Sequence, residues 1–165
     1  MPMLFQIEEP DGSPLDEAAG PGVAVGIDLS GARGVVAFAV GGNAEVLTAR
    51  DGSPGPETAG LRDAAGEFAL ERTGAVLLTL RGIAERALAR PVTHAVIAIT
   101  PPADVAARQS LARAAASGDL IATHILPATE AAALVPDAAA AEAAALGAAV
   151  AAEDDGIAAQ RDANP

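Results

Sequence analysis

The chain has no cysteine and no lysine, and its aromatic residues amount to 2%. Without cysteine there is no disulfide framework, no thiolate metal site and no cysteine nucleophile. Without lysine, all ten basic residues are arginine. Hydrophobic residues still reach 51%, so the scarcity of aromatics means that a core must be packed from Ala, Val, Leu and Ile. Basic surface is missing as well. A net charge of −12 argues against nucleic acid and anionic membrane as partners, because phosphate binding needs a basic face. No stretch approaches a membrane span, and the opening Met1 to Pro10 carries Glu8 and Glu9 where a signal peptide would be basic and then apolar. A soluble, cytoplasmic protein is expected. At 165 residues the chain makes one domain, with 1–22 as an N-terminal edge strand (Met3 to Ile7) and connector, and 23–152 as the folded body. A loop over 50–66 and a loose acidic tail over 153–165 complete the expected division.

What is present is most legible between Pro91 and Pro136. Val92 to Ile99 is an apolar, β-branched run too short for a buried helix, and it reads as a central strand. Thr100-Pro101-Pro102 stops it, and Asp104 then stands at the head of a helix over Val105 to Ala116. Ser117-Gly118-Asp119 ends that helix, a second strand follows over Leu120 to Leu126, and a short helix over Thr129 to Leu134. Strand, helix and strand at this spacing form a βαβ unit with parallel strands and a right-handed crossover. Upstream, Val23 to Leu29, Val35 to Val40 and Glu45 to Ala49 read as strands, the last two joined at Gly41-Gly42-Asn43. Glu67 to Ala89 carries a helical apolar stripe, and Ala138 to Ala152 reads as a closing helix. The order is βββ, α, β, α, β, αα. It predicts an α/β fold of ribonuclease-H-like type, a single lobe with a five-stranded mixed sheet and helices on both faces.

Five segments, in order, resemble one family, the DnaK/HscA-type heat-shock protein 70 chaperones. Val23-Ala-Val-Gly-Ile-Asp-Leu29 with the glycine-containing turn after it is similar to their first phosphate loop, G-I-D-L-G-T-T-N-S. Ala95 to Pro101, with Arg108-Gln109 beyond, resembles V-I-T-V-P-A-Y-F-x-D-x-Q-R-Q, and Thr129 to Leu134 resembles the end of N-E-P-T-A-A-A-L. Glu142 to Val150 resembles the D-E-A-V-A-L-G-A-A-V helix, and Met3 to Pro10 resembles the start of the branch specialised for iron–sulfur cluster assembly. The resemblance implies one lobe of an actin-like ATPase domain, and a link to protein folding or iron–sulfur cluster assembly.

The same resemblance shows what the chain has lost. The threonines of the phosphate loop fall on Gly31 and Ala32, its asparagine on Arg33, and the glutamate of N-E-P-T on Ala128. The catalytic lysine has no counterpart in these 165 residues, which by the resemblance are too few to supply the second phosphate loop and the second lobe as well. Asp28, Ser30, Gly31, Ala32 and Arg33 therefore make a degenerate phosphate loop, with Asp28 the remaining candidate ligand for Mg²⁺ and Arg33 a candidate phosphate partner. Read without the family, Asp28 is a strand-end turn residue and Arg33 an exposed turn arginine. Pro101 and Arg108 match a pair that relays nucleotide state between lobes, and read plainly they are a strand stop and a helix-surface arginine. His94 and His124 are expected at opposite ends of the sheet, without a shared metal. Phosphoryl transfer to water needs positioned cations and a water-orienting group besides a phosphate cradle. The expectation is thus a catalytically inactive protein that requires no cofactor and binds a protein partner, a chaperone or assembly factor. The alternative is a residual Mg-ATP or Mg-ADP binding module, or weak ATPase, completed by self-association or a partner.

Overall fold

The computed structural model describes residues 22–163. The expected edge strand over Met3 to Ile7 and nearly all of the connector after it lie outside the described residues. Five strands form one mixed sheet in the order β3-β2-β1-β4-β5, from β1 (Val23–Asp28), β2 (Val35–Val40), β3 (Asn43–Leu47), β4 (Val92–Ile99) and β5 (Ile121–Pro127). β1 runs antiparallel to β2 and parallel to β4, and β4 runs parallel to β5. The β2–β3 turn is the two residues Gly41 and Gly42, with φ of 60° and 78°, the left-handed pair that matches strand twist in a tight hairpin.

α1 (Leu70–Leu88) and α2 (Val105–Ala116) cover one face of the sheet. Their buried residues, among them Leu77, Leu80, Ile83 and Leu111, meet Val25, Ile27, Val36, Ile97 and Ile99 from the strands. Each such aliphatic side chain contributes roughly 1.5–3 kcal/mol when fully buried. Asp104 caps α2, its Oδ1 accepting from Ala107 N at 2.8 Å. α1 runs unbroken through Gly74. This glycine lies at the crossing with α2, where an added Cβ would stand 3.2 Å from Ser117 Oγ.

The other face is covered by α4 (Ala143–Ala163), with α3 (Ala128–Ala133) packed beside it. The contacts here are almost all alanine: Ala144, Ala148 and Ala152 against Val96 and Ala98, and Ala145 and Ala149 against Ala37 and Ala39. Small residues let the backbones approach. A Cβ added at Gly26 would stand 2.1 Å from Ala149 N, and one at Gly147 would stand 1.7 Å from Ala131 O.

Two expectations need correction. α4 does not end at Ala152: it continues through the acidic stretch assigned to a loose tail. Its carboxylates are tethers, Glu153 accepting from the backbone N–H groups of Gly41 and Gly42. Asp155 Oδ2 lies 2.6 Å from His124 Nδ1 and 3.2 Å from Thr123 Oγ1. The two histidines are not at opposite ends of the sheet either. β5 pairs with β4 so that His94 stands opposite Ile121 and His124 opposite Val96, two positions apart along neighbouring strands.

Candidate functional site

In an open α/β sheet, ligands bind beyond the carboxyl ends of the parallel strands. Here that rim is formed by Asp28 at the end of β1, Thr100 just past β4, and Pro127 at the end of β5 leading into α3. Leu29 N donates to Ala98 O at 2.9 Å, which extends the β1–β4 ladder to the rim and fixes Asp28 beside it.

Asp28 is buried, 5% exposed. Its Oδ1 accepts from Ser30 N at 2.8 Å and from Ser30 Oγ at 2.6 Å. The carboxylate thereby folds the turn after β1, as an Asx turn does. The rest of the candidate loop faces a second piece of chain. Residues 55–58 run antiparallel to it, with Arg33 and Glu57 as bridge partners. Gly34 N donates to Pro56 O at 2.8 Å, Thr58 N to Ala32 O at 3.2 Å, and the Thr58 hydroxyl to Gly31 O. Arg33 donates to Gly55 O at 3.0 Å and pairs with Glu57 at 3.4 Å. Thr100 Oγ1 closes the other side, donating to Ser30 O at 3.3 Å.

The structure thus brings Asp28, Ser30, Gly31, Ala32 and Arg33 together in one turn, and spends the turn on internal bonds. Arg33 is engaged by a backbone carbonyl and a glutamate. Residues 55–58, in the segment expected to be loop or disorder, fill the space beside the turn. Sequence reasoning missed this contact because Pro56-Glu57-Thr58 carries no periodic signal.

Pro101 and Arg108 are both exposed, and Arg108 Nε donates to Ala103 O at 2.7 Å, folding back on the connection that leads into its own helix. That connection is held mainly by a residue the sequence reading passed over. Arg62 donates to Thr100 O at 2.8 Å and to Pro102 O at 3.0 Å, and its guanidinium lies 4.6 Å from the Phe68 ring centroid. Partial burial lowers the pKa of Arg62 from its ordinary value, while the Asp104 carboxylate acts the other way.

Beside the candidate turn, and sharing Gly34 and Gly55 with it, a largely apolar cavity of about 310 Å³ opens between β2, β3, the loop after β3, and Leu80 and Ile83 of α1. Among the described residues no group of three or more His, Asp or Glu side chains could hold a metal ion, and no helix is long and apolar enough to cross a membrane. No protein-family model matches the chain, and neither does any curated protein.

Proposed function

We propose that this chain is a single, degenerate lobe of a DnaK/HscA-type chaperone ATPase domain, ribonuclease-H-like in fold. In this reading it does not turn over ATP and acts in the cytoplasm by binding another protein, in protein folding or iron–sulfur cluster assembly. The strand order β3-β2-β1-β4-β5, with β2 antiparallel to β1 and with β1, β4 and β5 parallel, supports the fold. The ordered run of family-like segments supports the relationship.

One observation supports the inactive reading: the arginine of the candidate loop and the Gly34 N–H beside it are engaged by residues 55–57 of the chain itself. An incoming phosphate needs free N–H donors or a free cation. Gly34 N is committed to Pro56 O, and the Arg33 guanidinium to Gly55 O and Glu57. With Arg33 engaged in this way, and with no lysine in these 165 residues, the turn offers an incoming phosphate no unpaired cation.

Titration with Mg-ATP by calorimetry tests this directly. No saturable heat is expected at millimolar nucleotide. Saturable heat abolished by Asp28→Asn would replace this reading with the other one, a residual ATP-binding module or weak ATPase. The burial of Asp28 at the end of β1 is the feature that favours that alternative.

A further inference from the structure

Sheet edges are templates for further pairing, and proteins ordinarily guard them with short strands, charges or proline. The two edges of this sheet are guarded unequally. β3 has five residues, carries exposed Glu45, and is joined to a hairpin turn whose N–H groups are held by Glu153. β5 has seven residues with no Asp, Glu or Arg among them, and its proline comes only at the last position. Ile121, at the head of β5, is 57% exposed. Among the described residues β5 pairs on one side only, with β4.

A register shift near Thr123 works against pairing, since bulges commonly twist an edge out of reach. Here the irregular stretch is tied back, as Thr123 and His124 both reach Asp155 on α4. The strand is fixed before any partner arrives, which lowers the ordering cost of binding.

Charge says what such a partner must be. Residues 114–160, which supply β5, α3 and most of α4, carry seven carboxylates and no arginine. The ten arginines lie at 33–113 and at 161. Of those carboxylates Asp119, Glu130, Asp137, Glu142 and Asp154 are exposed, the first two flanking β5 in sequence.

We propose that the edge of β5 left unpaired among the described residues accepts an extended, arginine- or lysine-bearing segment of a partner protein as a sixth strand. Backbone hydrogen bonds supply sequence-tolerant affinity, and the acidic charge of residues 114–160 favours positive side chains. A second copy of this chain, with the same net charge of −12, would be repelled and is disfavoured. This inference rests on the protein-binding reading above and adds the surface and the chemistry of the partner.

The test is fluorescence anisotropy of the full chain with a labelled peptide alternating arginine and valine. Saturable, salt-sensitive binding is expected. A glutamate–valine peptide, and an arginine–valine peptide N-methylated on alternate amides, should each bind about tenfold more weakly or worse. Ile121→Arg should weaken binding of the first peptide by a similar factor. Val40→Arg, at an exposed position on β2, should leave it unchanged. Backbone amide shifts in the unaltered chain should map to residues 121–126, a readout that stands even if Ile121→Arg does not fold. Equal binding of the glutamate peptide, shifts that map elsewhere, or a folded Ile121→Arg that binds normally would each overturn the assignment. Co-purification of a cytoplasmic partner that survives Ile121→Arg would overturn the edge while leaving the protein-binding reading in place.

Discussion

The two faces of the sheet are built on opposite packing principles. Under α1 and α2 the space is filled by Leu, Ile and Val, with Leu80, Leu111, Ile97 and Ile99 essentially inaccessible. Under α4 the space has been removed, because alanine and glycine let helix and sheet backbones close on one another. A buried alanine methyl contributes only on the order of 0.8 kcal/mol, so the α4 face gains less per residue from burial and leans on close fit and on its carboxylate tethers. Glu153 at the β2–β3 turn and Asp155 at β5 anchor the helix where its apolar contacts end.

The faces should therefore fail in opposite directions. Truncating the aliphatic face opens a cavity, and Leu111→Ala should cost about 3–5 kcal/mol in urea unfolding. The α4 face should instead be intolerant of additions. Gly26→Ala places a Cβ 2.1 Å from a backbone nitrogen, which no rotamer change relieves, and a loss of about 3 kcal/mol is expected from overpacking. If Gly26→Ala unfolds at the same urea concentration as the unaltered chain, α4 does not pack as closely as described.

How far this architecture was legible in the sequence follows the same divide. The bounds of β2, β4 and α2 are those the pattern predicts, because each is a periodic or β-branched run closed by proline, glycine or a capping aspartate. The extent of α4 was not legible. A helix of alanine has no stripe to follow, and Glu153-Asp154-Asp155 resembles a solvated tail until Gly41, Gly42 and His124 are seen to meet it. The candidate site divides likewise. Asp28 and Ser30 form a local turn that residue types announce, whereas residues 55–58 meet the loop through contacts more than twenty positions apart in sequence. The histidines were misplaced because strand lengths alone do not fix register, and β5 is offset against β4.

A smaller effect sharpens the contrast from within the aliphatic face. Thr73 is fully buried in α1, and its hydroxyl has no hydrogen-bond partner among the described residues. An unsatisfied buried hydroxyl costs on the order of 1–3 kcal/mol. Thr73→Val keeps the shape and removes that polar group, so a gain of about 1 kcal/mol is expected, read as a rise in the urea midpoint with an unchanged slope. No such gain is expected from polar removal on the α4 face, where Glu153→Gln loosens a tether and lowers the midpoint instead.

The smallest effect concerns the loop that walls the cavity on the aliphatic side. Asp51 is exposed, yet its Oδ1 accepts from Ser53 Oγ at 2.6 Å and from Ser53 N at 2.9 Å. The bond to the Ser53 hydroxyl, followed by that to its backbone N–H, holds the carboxyl below the usual carboxylate range. A carboxyl whose pKa is lower in the folded state contributes stability above its unfolded pKa, and that contribution disappears as pH falls through the lowered folded value. Asp51→Asn should therefore lower the melting temperature slightly at neutral pH, and the gap between variant and parent should close on acidification. The change should stay local, with amide shifts confined to residues 49–55 while those of α4 stand still. A gap that persisted unchanged below the carboxylate range would mean that the charge of Asp51 does not order the loop, and that the cavity wall is held by Gly52 N on Ala49 O and by Arg33 on Gly55 O.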